Sequence, residues 1–506
     1  MSGMFEPKQD KMDRKLARSK QEEKEKRKKR IIAISIIAAL LLLSAVAITI
    51  NSSFIRRSVP VVTIDGVNFT TAEFEYFFHS EFMEYSNFMS QFQGMGGMPD
   101  ASRPLSSQIY DPETGETWAD FFVGSTLDRL ADIVALYNAA KAAGFELPAE
   151  DRAQIEEEIE MMEMQALFSG FPSVESLLQQ MFGTSMNIST FRKVLEFVSI
   201  AGSYSEHMRD SFSYQESDLE RYYAENRDDL DVFNYRQFQI DIHSETQDEV
   251  RSAALTIAEG ITNEDEFLAA AAEYDAFYSD PDTTFRMMQG NRLDFDIVDW
   301  MLDETRSYGD TTVVDTELGS NIIFFISRDD NNYRTVGMRQ ILIVREYIDA
   351  EEFPAGEADP GFLQALEDAE NEARERAEHV NSLFIAAGET EDALIALMEE
   401  YSDDNTEGGY YSNITKFPYQ SPNLVAMKVV PEIEDWLFDE NRTIGDSEMI
   451  YTSAFGYHLL YFTGFGDTFS TLIAEDRMRN RDHIEWLDAL TIGTPVKRPA
   501  FILVHI

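Results

Sequence analysis

The chain has 506 residues and carries 42 Lys and Arg against 92 Asp and Glu, a formal net charge of −50. A body this acidic repels phosphate, so nucleic acid is excluded as a partner and basic polypeptides or cations are the attracted class. The absence of cysteine excludes disulfides, thiolate chemistry and a lipid-modified N-terminal Cys, and the length allows more than one domain.

Residues 1–30 hold twelve Lys/Arg against six Asp/Glu, a basic tail that ends in "KEKRKKR". The next twenty residues, 31–50, "IIAISIIAALLLLSAVAITI", contain no charge and match the thickness of a bilayer core. The basic cluster before them predicts a cytoplasmic N-terminus, a single-pass transmembrane anchor over 31–50 and an extracytoplasmic bulk, on the periplasmic or cell-wall side. A cleaved signal peptide is the alternative, because "AVA" at 45–47 has small-residue spacing, but the apolar run is long for one.

Residues 58–69, "SVPVVTIDGVNF", read as a hairpin turning at Asp65-Gly66, followed by a helix in "TTAEFEYFFHSEFMEYSNFM". The stretch 91–104, "QFQGMGGMPDASRP", holds neither helix nor strand period and reads as a loop. Its methionines could grip apolar clients, although a mobile insertion is the plainer reading. Over 125–228 the chain reads as successive amphipathic helices. The first begins with Ser125 and Asp128 in capping-box spacing and ends at Gly144; a second begins at Pro148; a later one has Ser217 and Glu220 in capping-box spacing. Together they predict a helical domain over 58–230.

From residue 233 the texture changes and a repeat appears. "YRQFQI" (235–240) is echoed by "MRQILI", "EYDAFYSDPD" (273–282) by "EEYSDDNTEGG", "DWMLDETRSYGD" (299–310) by "DWLFDENRTIGD", and "ELGSNIIFFI" (317–326) by "AFGYHLLYFT". Four echoes in one order predict a tandem duplication over 233–332 and 334–466, the second copy lengthened by the acidic stretch 346–362. Residues 467–506 supply a last helix (470–490) and an apolar strand, "AFILVHI", expected to return to "VPVVTI" near residue 60. The fold class expected is α+β.

The second copy resembles the parvulin (PpiC) family of peptidyl-prolyl isomerases, through Tyr-Ser-Asp-Asp before a Gly-Gly loop, "VVPEIEDWLF", a Gly-Asp turn and the terminal "FGYHLLYF". The helices of 125–228, with "AAGFELPAED" and "SDLERYYAENRDDL", are similar to the chaperone domain of SurA- and PrsA-type foldases. The resemblance implies a SurA-like helical chaperone domain followed by two parvulin-like domains of antiparallel sheet and packed helices, and a C-terminal helix returning to the N-terminal domain. It implies a foldase that accelerates X–Pro isomerisation in exported, unfolded polypeptides, uses no cofactor or metal, and leaves oligomeric state, a dimer included, open. The alternative is a catalytically inactive parvulin-fold chaperone or a dedicated binding partner of an envelope complex.

Carried over residue by residue, His458 matches the last-strand histidine, Asp404 the Asp/Cys position and Gln340 the first-strand histidine, which it replaces. Val429 stands for the pocket Met, with Met427 nearby; Ile433 stands for the pocket Phe, and Phe438 for the buried aromatic of the helix. The first copy has Gln237, Asn321 and Pro281 where the polar groups are expected, so it is expected to be degenerate. A lone histidine on an apolar strand is ordinarily a satisfied core residue, and the surrounding motif is what raises His458 above that. Trp300 and Trp436 are expected in the core. No metal-ligand cluster, phosphate loop or Ser/His/Asp constellation stands out.

Overall fold

The computed structural model describes residues 52–492 except 91–96, 101, 243–245 and 422–423, together with 28, 35–37, 496 and 497. The anchor expected at 31–50 lies almost wholly outside them; among the described residues no helix is long and apolar enough to cross a membrane. The architecture mixes helices with antiparallel sheets. It divides into two units, Met1–Ser211 with Asp482–Ile506, and Phe212–Arg481.

In the first unit, β1 (Pro60–Ile64) and β2 (Val67–Thr70) form the expected hairpin. Its turn puts Asp65 at φ 40° and Gly66 at φ 84°, the left-handed pair that suits the twist of a two-residue hairpin. Thr70 and Glu73 bond reciprocally, side chain to backbone, and launch α1 (Thr71–Ser90). The next helix, α2 (Trp118–Ala143), begins seven residues before Ser125. Its capping box is Thr117 with Asp120, because the buried Trp118 and Phe122 extend the helix's core contacts N-terminally; Ser125 is mid-helix and bonds Glu81. Gly144 closes it at φ 71°, as expected. Helices α3 (Ala149–Phe168), α4 (Val174–Phe182) and α5 (Ile188–Ser211) follow. The return of the C-terminus is made by the two-residue strand Val496–Lys497, antiparallel to β1 at Ile64 and Thr63; "AFILVHI" itself lies outside the described residues. His483 and Trp486 reach Ser205 and Tyr204 of α5.

The second unit opens with α6 (Glu216–Glu225), capped at Gln215, so Ser217 is inside the helix rather than its cap. Two sheets of the same topology follow. The first runs β4-β3-β6-β5, from β3 (Val232–Asp241), β4 (Phe285–Gln289), β5 (Thr311–Asp315) and β6 (Gly319–Asp329). The second runs β8-β7-β10-β9, from β7 (Arg334–Val344), β8 (Tyr410–Ile414), β9 (Ser447–Thr452) and β10 (Gly456–Thr468). Strand alternation gives each sheet two apolar faces. One face of the first covers α7 (Gln247–Ala258) and α8 (Glu264–Tyr274), the other α9 (Phe295–Met301). The second sheet likewise lies between α10 (Pro360–Ala386) with α11 (Glu391–Tyr401) and α12 (Pro431–Leu437). Trp300 and Trp436 pack at matching places under arginines, Arg306 at 4.0 Å and Arg442 at 4.1 Å from the ring centroids.

The copies differ in length at a second place besides 346–362. Five residues, 290–294, join β4 to α9, whereas sixteen, 415–430, join β8 to α12. The longer segment carries its own small ladder, Tyr419–Gln420 on Val425–Ala426. It is tied to α13 (Phe469–Thr491) by Tyr419 and Ser421, whose hydroxyls donate to Asp476 at 2.6 and 2.7 Å. Beneath it Phe417, Tyr419 and Leu424 share a buried cluster with Leu219, Tyr223 and Phe469.

Candidate functional site

On β7, Met338, Gln340 and Leu342 point to one face, and His458 on β10 is the cross-strand partner of Leu342. Gln340 is the centre of a hydrogen-bonded row. Its Nε2 donates to Asp404 Oδ2 at 2.7 Å and its Oε1 lies 3.0 Å from His458 Nδ1. His458 Nε2 lies 3.0 Å from the Thr452 hydroxyl. Because the Gln340 amide spends its N–H on a carboxylate, its oxygen can only accept, so Nδ1 carries the imidazole proton and Nε2 accepts from Thr452. That is the neutral ring in one tautomer. His458 is 4% exposed, and burial pushes its pKa down to about 4, against the opposing pull of Asp404 and Glu432.

Asp404 sits on the loop after α11. Burial raises its carboxyl, but hydrogen bonds from Tyr411 (2.6 Å), the Thr406 backbone (2.9 Å) and Gln340 outweigh this and hold it below the usual carboxylate range. The loop reaches the sheet because Gly409, at φ 54°, passes close over β7; a Cβ there would lie 2.4 Å from the Gln340 carbonyl oxygen.

Above the row opens a cleft of about 640 Å³. Gln340, Asp404 and His458 border it, and so do Val429, Ile433 and Met427. Phe438 does not. It follows the last turn of α12 and packs edge-on to Tyr333 (centroids 5.7 Å) under the Lys416 ammonium, because it is one residue past Leu437, whose direction turns into the core. Sequence reasoning missed Thr452, Tyr411, Met338, Leu342 and Phe455, all but Thr452 of which line the cleft. Strand alternation from Gln340 would have found Met338 and Leu342. Phe455, half exposed beside the His458 ring, carries no periodic signal.

The first copy has amides in place of this row. Gln237 Nε2 donates to Asn321 Oδ1 at 3.0 Å, and Asn321 and Thr316 both reach Gln239 Oε1 at 3.4 Å. Pro281 is not opposite Asp404. Helices α8 and α11 end alike, at Tyr274 and Tyr401, and counting from there Phe277 takes the place of Asp404. The loop is two residues longer, and Pro281 starts a helical turn over Pro281–Thr284. The loops also satisfy the central strand differently: the Tyr278 and Tyr274 hydroxyls accept from the Gln239 and Asp241 N–H groups, whereas Ser402 and Asp403 side chains accept from Leu342 and Val344.

No family model matches the chain, and no curated protein does. Among solved structures it is similar to a SurA-like chaperone of Campylobacter jejuni, at 14% identity over 36% of this chain and 71% of that one, with a TM-score of 0.18. It is similar to the peptidylprolyl isomerase PrsA of Bacillus anthracis, at 11% identity over 49% and 97% of the two chains, with a TM-score of 0.21. A third is PrsA of Bacillus subtilis, at 10% identity over 57% and 91%, with a TM-score of 0.17. Structural neighbours of this chain are therefore SurA-like chaperones and PrsA peptidyl-prolyl isomerases.

Proposed function

We propose that the chain is a membrane-anchored, extracytoplasmic foldase whose second repeat is a peptidyl-prolyl cis–trans isomerase of the parvulin type and whose helical unit holds unfolded, newly exported polypeptides. The observation that carries this reading is the hydrogen-bonded row Asp404–Gln340–His458–Thr452 under an apolar cleft of about 640 Å³.

Rotation about an X–Pro bond is slow because amide resonance sets a barrier of roughly 18–20 kcal/mol. The planar amide is the more polar form and water stabilises it; at the twisted transition state conjugation is lost. A cup that takes the proline ring against Met427, Val429 and Ile433 and keeps water off the carbonyl therefore disfavours the planar form relative to the twisted one. No nucleophile is required. The neutral His458 adds no charge of its own beside the Asp404 carboxylate; it is held fixed in the floor, with both ring nitrogens occupied.

The full chain should accelerate cis–trans isomerisation of X–Pro test peptides and suppress aggregation of unrelated unfolded proteins. That same full satisfaction of the row favours a second reading, a binding protein without catalysis. Aggregation suppression with no acceleration, for any residue placed before proline, would establish the second reading over the first.

A further inference from the structure

The last turns of α3 leave four large apolar side chains in water: Met161 is 57% exposed, Met164 53%, Leu167 76% and Phe168 86%. Met161, Met164 and Phe168 follow i, i+3, i+7 spacing and form one stripe. The stripe lies opposite Ile155, Ile159 and Ala166, which are buried. Single exposed apolar residues need no account, but a contiguous group of four on one helix end marks an interaction surface. Its setting has a sign. Glu157, Glu160 and Glu163 are exposed and lie one helical turn before Met161, Met164 and Leu167. Among the described residues none forms an ion pair with these three glutamates. Methionine, flexible and polarisable, adapts to many apolar shapes.

We propose that this tip of α3 is a docking surface for cationic, apolar segments of unfolded polypeptide, in which Lys or Arg alternate with large aliphatic or aromatic residues. The proposal names the client class of the foldase reading and rests on it. The apolar stripe buries the client's large side chains while the interleaved glutamates meet its cations, and the −50 charge of the chain draws such segments in and turns acidic ones away.

The test uses the full chain in discs of zwitterionic lipid, with empty discs as the blank and a fluorescent twelve-residue Leu/Lys/Ser peptide as the probe. The Met161→Ser/Met164→Ser/Phe168→Ser variant should weaken binding about tenfold. Glu157→Gln/Glu160→Gln/Glu163→Gln should bind several-fold more weakly at low salt and lose most of the salt dependence. Equal binding of a Leu/Glu/Ser peptide, or an unchanged dissociation constant in the serine variant, overturns the proposal. So does a tenfold tighter probe affinity on deletion of residues 498–506, which would make that basic, apolar tail the occupant. Aggregation suppression in the same samples separates the two claims: its absence from the unaltered chain removes the foldase reading, while probe binding at the tip is judged by the variants alone.

Discussion

The two sheets of the second unit are one topology built twice, and they differ in what covers and what floors the same face. In the first copy the face ends in amides, Gln237, Gln239 and Asn321, and a connection of five residues crosses beside it. In the second, an imidazole and a carboxylate flank a glutamine, and a connection of sixteen residues raises a wall that supplies Met427 and Val429. The apolar positions that hold each sheet to its helices correspond, Ile297 with Ile433 and Met301 with Leu437. The fold is thus maintained by the residues shared between the copies. The cleft shares Gln340 and Ile433 with their counterparts Gln237 and Ile297 and adds His458, Asp404, Met427 and Val429, which are not shared, so substitutions at paired positions ask of each copy what its own floor and wall contribute.

The largest difference is expected at the paired strand positions His458 and Asn321. His458→Ala should lower the rate of X–Pro isomerisation about tenfold, less than the roughly 10²–10³ for losing a donor aimed at a developing charge, and Asn321→Ala should change it less than twofold. Since His458 is buried, His458→Asn, which copies the first repeat, serves as the variant that keeps a polar side chain in place; it should also be slow. Equal losses from the two alanine variants, with folding intact by circular dichroism, would end the assignment of activity to the second copy alone.

A smaller difference is expected at the hairpin tips. Phe455 and Leu318 precede the paired glycines Gly456 and Gly319, and Phe455 lines the cleft while Leu318 is 70% exposed. Phe455→Ala should raise the KM for a proline peptide three- to fivefold with little change in stability, as for other half-exposed side chains. Leu318→Ala should leave KM alone. A shift of the same size from both would mean that the tips act on clients generally and not on the cleft.

How far such pairs could be found without coordinates follows from what fixes them. The matching topology of the two sheets was legible, because each echo spans a strand or helix whose apolar spacing is dictated by its own sheet's core. Three members of the row were legible and Thr452 was not; Gln340 and His458 fall on strands whose alternation puts both on one face. Asp404 follows a helix whose end at Tyr401 the motif marks. What failed did so at ends and loops. Ser125 met the capping pattern, but a helix begins where its buried stripe begins, at Trp118. Phe438 is one residue beyond a helix end, where the direction of a side chain no longer follows the helical period. Pro281 was paired with Asp404 by the motif Tyr-Ser-Asp, whereas the ends of α8 and α11 set the correspondence and the first loop is longer. The wall at 415–430 has a two-residue ladder and no period, and its position is fixed by Asp476 on a helix some fifty residues later.

The smallest expected effect is the one that tests the floor most directly. A catalytic imidazole that exchanged a proton would give a rate that changes through its ordinary pKa of about 6.5. Here Gln340 and Thr452 select the neutral tautomer, burial pushes the pKa of His458 down to about 4, and Asp404 is held ionised by its hydrogen bonds. Neither group titrates between pH 5.5 and 8, so the isomerisation rate should vary less than twofold across that range. The same depression links to stability with a definite sign. The unfolded chain binds a proton at His458 below about pH 6.5 while the folded one does so only near 4. The contribution is therefore complete above pH 6.5 and is lost as pH falls towards 4. His458→Asn should flatten that segment of the stability curve, and Asn321→Ala should leave its slope as it is. A rate that drops with an apparent pKa near 6.5 would mean that the imidazole is charged and exposed when it works, and that the closed row is opened by the client.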